Sequence, residues 1–250
     1  MTDSSGSEQF TGKRILVTGA SRGIGKGIAL KLASLGADVF AVGTSAEHLQ
    51  KLQQENSRIH PIQVNLSDWD ATRRAVEAVL PIDLLVNNAA TFVHESFLQI
   101  TEQGYERQMG VNLKAVINVS QIVAKSLIDR KIPGSIVNVS SICAQVALHD
   151  ETVYCASKAA LDAVTRSMAL ELGPHKIRVN SILPNLILTD MAMEAGYTDP
   201  TTAKPFLDRT PLGRLGDVDD CVNAVVFLLS DRSKFITGVH LPIDGGFLAT

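Results

Sequence analysis

The chain has 250 residues, of which 45% are hydrophobic and 20% charged, and its formal net charge is −3. This length suits one sizeable α/β domain better than two, and a slightly acidic chain without a lysine or arginine run argues against non-specific nucleic-acid binding. Residues 1–10 are polar and lack the apolar core of a signal peptide, and no apolar run approaches the roughly 20 residues that span a bilayer.

The first predicted strand, over 14–18, leads directly into the segment Thr18-Gly-Ala-Ser-Arg-Gly-Ile-Gly25. A helical spacing of apolar residues follows over 24–35. Glycines 19, 23 and 25 allow a tight strand-to-helix turn and a close approach of backbone to ligand. The free N–H groups of a helix amino terminus suit a pyrophosphate, so this order of elements predicts dinucleotide binding. A purely structural glycine turn is the alternative.

Further apolar, β-branched stretches alternate with helical patterns almost to the end of the chain. The other predicted strands cover 38–42, 59–64, 83–87, 135–140, 178–183 and 239–243, and the other predicted helices cover 46–55, 68–79, 103–130, 154–172 and 217–230. Seven strands joined by crossovers predict a parallel sheet with helices on both faces. We therefore expect a single doubly wound, Rossmann-type α/β domain over 11–250, preceded by a disordered tail over 1–10.

Two segments have roles beyond packing. The predicted helix over 103–130 is long and has apolar side chains on more than one face, which is typical of a helix that meets a partner subunit. The stretch 188–216 has no strong period and contains several prolines. Because it follows the sixth strand, it lies at the carboxyl edge of the sheet, where such folds bind ligands. We call residues 188–216 the lobe, and we expect it to cover the substrate and to be mobile without ligand.

Tyr154 and Lys158 are placed on one face of a predicted helix, because side chains at i and i+4 are neighbours. A cation beside a phenol stabilises the phenolate and lowers the pKa of the tyrosine. A tyrosine tuned in this way gives a proton to a carbonyl oxygen while the carbon receives a hydride. The alternative is a tyrosine at the edge of the core beside a solvated lysine.

The three cysteines, Cys143, Cys155 and Cys221, are an odd number without a Cys-x-x-Cys pair. They fit a reducing compartment, which predicts a cytoplasmic protein. Cys143 and Cys155 bracket the predicted active site, so either redox sensitivity or a role as inert small hydrophobes is open. The six histidines show no metal-ligand spacing, and we expect no catalytic metal.

These landmarks occur in the order found in the short-chain dehydrogenase/reductase family, which the chain resembles from about residue 11 to its end. The matching segments are Thr18–Gly25, Asn87-Asn-Ala-Ala90, Asn112, Ser140-Ser141, Tyr154-x-x-x-Lys158 and Asp244-Gly-Gly246. More narrowly, 121–125, 133–141, 152–155 and 170–180 look like the animal L-xylulose (dicarbonyl) reductases. The bacterial 3-oxoacyl-carrier-protein reductases are similar at a greater distance.

The resemblance implies four catalytic residues. Tyr154 is the general acid, Lys158 lowers its pKa and holds the nicotinamide ribose, and Ser141 holds the substrate carbonyl. Asn112 orders a water that relays protons to the lysine, or alternatively satisfies local backbone. The implied substrate residues are Ser141, Ile142, Leu148, Glu151, Tyr154 and Tyr197. The implied cofactor residues are Gly19, Ser21, Arg22, Gly23, Ile24, Gly25, Thr44, Ser45, Asn65, Leu66, Asn88, Ala89, Tyr154, Lys158, Ile187 and Thr189.

The segment after the second predicted strand favours NADP(H) over NAD(H). An NAD site places a carboxylate there to bind the ribose hydroxyls, whereas this chain has Thr44 and Ser45. Arg22 offers a forked cation to a 2′-phosphate, and the alternative for Arg22 is a solvated surface charge. The relatives usually have a second arginine where Thr44 stands, so phosphate binding is expected to be weaker here.

We therefore expect an NADPH-dependent reductase of small α-dicarbonyls or ketoses such as L-xylulose, reversible to the alcohol. Departures from the relatives at Ile142 and Asn185 leave the shape of the pocket open. A 3-oxoacyl-thioester reductase and a cofactor-binding structural oligomer are the alternatives. By resemblance the chain is a homotetramer that acts on a small molecule, without a nucleic-acid or membrane partner.

Overall fold

A computed structural model describes residues 9–197 and 199–250. Within these residues, seven strands form one parallel sheet in the order β3-β2-β1-β4-β5-β6-β7. The strands are β1 (Arg14–Thr18), β2 (Asp38–Gly43), β3 (Ile59–Gln63), β4 (Leu84–Asn87), β5 (Gly134–Val139), β6 (Ile177–Pro184) and β7 (His240–Ile243). The predicted doubly wound α/β fold is confirmed, and each predicted strand boundary lies within one residue of the observed one.

The helices cover both faces of this sheet. They are α1 (Gly23–Ser34), α2 (Ala46–Glu55), α3 (Trp69–Glu77), α4 (Glu102–Met109), α5 (Ala115–Asp129), α6 (Thr152–Leu172), α7 (Asp190–Glu194), α8 (Pro200–Asp208) and α9 (Val218–Leu229). On one face, Leu32 of α1 and Val225 of α9 belong to one buried cluster. On the other face, Val76 of α3 and Val123 of α5 belong to a second. Each fully buried aliphatic side chain contributes roughly 1.5–3 kcal/mol of transfer free energy, so both layers hold the sheet in place.

The strand order reverses between β1 and β4, and this places the ligand crevice. From β1 the chain winds outward to β2 and β3, and then returns to place β4 on the other side of β1. The loops after these two strands therefore diverge to opposite faces and leave an opening at the carboxyl ends. The glycine turn after β1 and the asparagines at the end of β4 both lie at this edge.

The structure differs from the sequence prediction along 103–130. The predicted single helix is α4 and α5, joined by a π-helical turn over Gly110–Lys114. Through this turn the helical segment Glu102–Asp129 is long and apolar enough to cross a bilayer. However, 56% of its most apolar window is buried inside the protein, as in the core helix of a soluble protein.

Two other expectations need correction. The lobe contains the helices α7 and α8, although no helical period was found there. The predicted disordered tail over 1–10 is wrong at its end, because Phe10 is 3% exposed within the core and its N–H donates to the Leu35 carbonyl at 3.0 Å. Residues 1–8 of that predicted tail lie outside the described residues.

Candidate active site

A cleft of about 990 Å³ opens at the carboxyl ends of the strands. Its volume is at the upper end of the range for small-molecule sites, as expected for a cofactor together with a substrate. Most of the predicted site residues line it, namely Gly19, Ser21, Arg22, Gly23, Ile24, Thr44, Asn65, Leu66, Asn88, Ala89, Ser141, Ile142, Leu148, Glu151, Tyr154, Lys158, Ile187, Thr189 and Tyr197. Three predicted residues do not line it, namely Gly25, Ser45 and Asn112.

The glycine turn brings backbone to the floor of this cleft. Gly19 and Gly23 have φ values of +64° and +56°, which side chains rarely adopt. A Cβ on Gly25 would collide with the carbonyl oxygen of Gly19 and the side-chain nitrogen of Asn88. Gly25 therefore supports the turn from behind rather than touching a ligand, which explains its position outside the cleft.

Asn88 clamps the glycine turn to the end of β4. Its side-chain nitrogen donates to the carbonyl oxygens of Thr18 and Gly19, both at 3.0 Å. In return, the Thr18 hydroxyl accepts the backbone N–H groups of Asn88 and Ala89 at 3.0 and 3.1 Å. These bonds fix the crevice where a dinucleotide would lie.

The amino terminus of α1 is left open toward the cleft. Its N-cap, Arg22, makes no side-chain capping hydrogen bond, and its first turn has no acidic residue. By contrast, Ser45 caps α2, Asp68 caps α3 and Thr101 caps α4 with side-chain oxygens. Uncapped N–H groups and the positive end of a 12-residue helix suit a pyrophosphate. The glycine turn and α1 therefore fit the predicted dinucleotide.

The region expected to bind a 2′-phosphate contains Arg22 and Thr44. The Arg22 guanidinium contacts both carboxylate oxygens of Glu194 in the lobe, and this pairing raises the pKa of Arg22. Thr44 is exposed beside it. The Ser45 hydroxyl oxygen accepts the His48 N–H at the start of α2. Ser45 does not line the cleft, and its predicted role in cofactor binding stays a prediction.

Lys158 lies behind Tyr154 in the wall of the cleft. It is 2% exposed, its Nζ donates to the Val139 carbonyl oxygen at 2.9 Å, and Nζ lies 5.5 Å from the centre of the Tyr154 ring. Burial lowers the pKa of Lys158 to about 8. Ser141 lines the cleft beside them, and its hydroxyl oxygen accepts the Cys143 N–H at 3.1 Å, which leaves its own proton free to donate.

The pKa of Tyr154 is shifted in the direction opposite to the sequence prediction. Burial raises the pKa of Tyr154, and the nearby Cys143 and Glu151 raise it further. The hydroxyl of Ser141 acts against this rise. The phenol is therefore protonated at neutral pH, which is the form that a general acid in reduction needs.

Asn112 does not line the cleft, and its predicted role in ordering a water stays a prediction. It lies in the π-helical turn, is fully buried, and its side-chain amide pairs with the backbone of Thr91 at 2.8 and 3.0 Å. Its nitrogen also donates to the Ser157 hydroxyl at 3.1 Å. The amide thus fastens the loop after β4 to α6, which corresponds to the alternative of an asparagine that satisfies backbone.

The substrate side of the cleft joins the lobe to α6. The Tyr197 hydroxyl donates to the Glu151 carboxylate at 2.5 Å, and the Tyr197 ring packs edge-on against Phe206 of α8 at 5.4 Å between centroids. Glu151 is only 3% exposed. A buried carboxylate held by a phenol gives this end of the cleft an acceptor character.

The sequence prediction missed Phe92, which lines the cleft. Its ring meets the edge of Tyr154 at a centroid distance of 5.3 Å and an interplanar angle of 87°. This edge-on contact constrains the orientation of the Tyr154 ring. A single aromatic residue in the loop after β4 carries no sequence signal, so spacing could not have found it.

Comparisons with known proteins agree with this geometry. A short-chain dehydrogenase family model, described as enoyl-(acyl carrier protein) reductase, matches residues 19–248. The chain is 52% identical to the L-xylulose reductase of Homo sapiens over 240 residues, covering 96% of this chain and 98% of the relative. It is 48% identical to the D-erythrulose reductase of Gallus gallus over 241 residues, covering 96% and 98%.

A solved structure shares the whole fold. The gluconate 5-dehydrogenase of Burkholderia cenocepacia, solved in complex with NADP and tartrate, superposes with a TM-score of 0.91. It is 29% identical to this chain, and the match covers 98% of each protein.

Proposed function

The chain belongs to the short-chain dehydrogenase/reductase family, and we propose that within it this protein is an NADPH-dependent carbonyl reductase. The substrates are small α-dicarbonyls or ketoses such as L-xylulose, and the reaction reverses to oxidation of the alcohol. The observation that carries the proposal is the convergence of Ser141, Tyr154 and Lys158 in the cleft that also contains the glycine turn. The near-full-length likeness to reductases of L-xylulose and D-erythrulose supports the ketose class.

The residues of the cleft divide into a cofactor half and a substrate half. The cofactor half is the glycine turn, Arg22, Thr44, Asn65, Leu66, Ala89, Ile187 and Thr189, and Lys158 holds the nicotinamide ribose. When bound there, NADP(H) supplies or accepts the hydride. The substrate half is Ser141, Ile142, Leu148, Glu151 and Tyr197.

The chain itself supplies the proton and the stabilisation of charge. Tyr154 gives its phenolic proton to the carbonyl oxygen as that oxygen gains negative charge. Ser141 donates a second hydrogen bond to the same oxygen, and the Lys158 ammonium stabilises the phenolate that remains. Asn112 supports this arrangement by fixing the Thr91 loop and Ser157.

We further propose a homotetramer in the cytoplasm, following the family resemblance. Several large apolar side chains are exposed and available for contacts between subunits. Leu170 of α6 and Phe235, before β7, are 80% and 102% exposed, and Leu98, before α4, is 92% exposed. Light scattering of the purified protein tests the mass, and a mass of one chain would remove this part of the proposal.

The experiment that tests the activity follows oxidation of NADPH and NADH with three carbonyls: diacetyl, L-xylulose and an acetoacetyl thioester. We expect turnover of the first two with NADPH. Tyr154→Phe and Ser141→Ala are expected to lose roughly 10²–10³ in kcat each. Turnover that survives Tyr154→Phe would remove the tyrosine mechanism. Preference for the thioester would favour an acyl reductase instead, and NADPH binding without any turnover would favour a structural oligomer.

A further inference from the structure

Three metal-ligating side chains meet on the substrate side of the cleft. Cys143, Glu151 and Cys155 each offer one ligand atom, and these three atoms lie within 4.8 Å of one another. Cys143 and Glu151 are buried and line the cleft, while Cys155 is half-buried behind them. An ion that enters the cleft meets Cys143 and Glu151 directly, and the Cys155 sulfur lies within 4.8 Å of their ligand atoms.

Local hydrogen bonds hold the backbone that carries the three groups. Cys143 lies in a short 3₁₀ turn over Ile142–Ala144, and its N–H is held by the Ser141 hydroxyl. The Cys155 N–H donates to the Glu151 carbonyl oxygen at 2.8 Å in the first turn of α6. Glu151 and Cys155 are thus neighbours at i and i+4. A metal bound between them would need no ordering of a loop.

The orientation of the carboxylate also suits a ligand. Its Oε1 accepts the Tyr197 hydroxyl at 2.5 Å, while Oε2 lies 3.5 Å from the Cys143 sulfur. The Tyr197 bond thus directs the second oxygen toward the thiol, as outer-shell partners do for ligating carboxylates.

The observed spacing matches tetrahedral zinc. With Zn–S near 2.3 Å and Zn–O near 2.0 Å, the sulfur-to-oxygen edge of a tetrahedron is about 3.5 Å and the sulfur-to-sulfur edge about 3.8 Å. The distance from the Cys143 sulfur to Glu151 Oε2 is 3.5 Å. The third ligand atom, the Cys155 sulfur, lies within 4.8 Å of the other two. It needs to move by only about 1 Å to reach the tetrahedral spacing.

We propose that Cys143, Glu151 and Cys155 form a zinc site in the substrate half of the cleft, and that its occupation blocks carbonyl reduction. Two thiolates select zinc over the hard cations magnesium and calcium. Each bound Zn²⁺ displaces two thiol protons to solvent, no electron is transferred, and water takes the fourth position. Because Cys143 and Glu151 line the same cleft as Tyr154, the bound ion excludes substrate from the phenol. Metal binding is independent of the proposed function, whereas the inhibition rests on it.

Zinc chloride titrated against a chromophoric chelator tests the binding directly. The full-length protein is kept in a phosphine reductant, so that both thiols stay reduced. We expect one tight zinc per chain, and a loss of at least about tenfold in affinity for Cys143→Ser, Cys155→Ser and Glu151→Gln. Cys221→Ser is the matched control, because Cys221 is fully buried in the core cluster that contains Leu32 and Val225. This variant is expected to bind zinc like the parent.

Cobalt substitution keeps the proposal testable if a serine variant fails to fold. Co²⁺ bound to the parent protein is expected to show thiolate charge-transfer bands and the strong visible bands of tetrahedral cobalt.

Zinc is also expected to inhibit diacetyl reduction, with recovery after EDTA. The site is overturned if the parent binds no stoichiometric zinc, or if both folded serine variants bind it like the parent. Stoichiometric zinc without inhibition would overturn the blocking role, and zinc binding by a protein that reduces no carbonyl would leave the site standing while removing the proposed function.

Discussion

Arg22 and Glu194 form a two-point ion pair that connects the glycine turn to the lobe. The pair is exposed, since the two side chains are 44% and 61% accessible, and exposed pairs of this kind contribute little to stability. The same guanidinium is the cation that we assign to the 2′-phosphate of NADP(H). Cofactor and lobe therefore compete for one side chain.

Removing the competing carboxylate is expected to tighten NADPH binding. Glu194→Gln frees Arg22 at the cost of a weak ion pair, so the Kd for NADPH should fall up to about fivefold. Arg22→Ala should raise that Kd about 10–100-fold, because a charge-assisted, bidentate contact is lost. NADH has no 2′-phosphate and serves as the control ligand for both variants. Fluorescence titration checks this, and an unchanged NADPH affinity in Arg22→Ala would contradict our assignment of Arg22.

The lowered pKa of Lys158, about 8, predicts the alkaline limit of reduction. Below pH 8 the ammonium is charged and stabilises the Tyr154 phenolate. Above it the charge is lost, so kcat/KM for diacetyl should fall as the pH rises through about 8. Lys158→Arg keeps the charge at all accessible pH values. Its kcat/KM should therefore not fall at alkaline pH, and the variant should retain part of the parent rate. A parent profile that is flat to pH 10 would disprove the role given to the ammonium.

The Glu151 carboxylate predicts that substrates are selected by the charge that they carry next to their carbonyl group. Within the residues described, it is held by the neutral groups Tyr197 and Cys143. It should therefore favour hydroxyl or ammonium donors and repel a carboxylate. Among methyl ketones of similar size, kcat/KM should be higher for aminoacetone and hydroxyacetone than for pyruvate.

The neutral variant Glu151→Gln should reduce that preference by about tenfold or more, mainly through KM. Asp150→Asn is the matched control, because Asp150 is the preceding residue but is 45% exposed at the rim, beside His94. An equal change in the aminoacetone-to-pyruvate ratio for both variants would show that only the general field matters.

A methyl group at Gly25 is expected to damage the cofactor site without touching a ligand. The Cβ would meet the Gly19 carbonyl and the Asn88 amide, and overpacking of this kind costs about 1–3 kcal/mol. Gly25→Ala should therefore lower Tm and weaken NADPH binding together. Gly173→Ala is the control, since a Cβ at Gly173 meets nothing within 4 Å. Calorimetry measures the Tm and titration measures the NADPH affinity. Normal NADPH affinity in Gly25→Ala would be inconsistent with the role of Asn88 in holding the glycine turn.

The sequence predicted the sheet well because its strands are buried on both faces. Runs such as Ile15 to Val17 and Leu84 to Val86 are apolar throughout and therefore stand out from the polar residues around them, and their ends were located within one residue. The lobe was harder to predict. Prolines were taken as signs of irregular structure there, whereas Pro200 occupies the first position of α8, where its fixed φ favours a helix.

The candidate site was predictable only where its residues share one local element. Tyr154 and Lys158 lie on one turn of α6, and the glycine turn is contiguous in sequence. The direction of the Tyr154 pKa shift depends on burial by residues distant in the chain, which spacing does not reveal. Likewise, the convergence of Cys143 with Glu151 requires the path of the loop between β5 and α6.

The π-helical turn at Gly110–Lys114 holds one residue more than a regular turn would. That residue rotates everything on its amino-terminal side by about 100° relative to α5. With this offset, Asn112 faces Thr91 while Arg107 of the preceding helix lines the cleft. Shortening the segment by a single amino acid would thus be far more harmful than exchanging one side chain for another, and the length of this stretch is itself a functional trait.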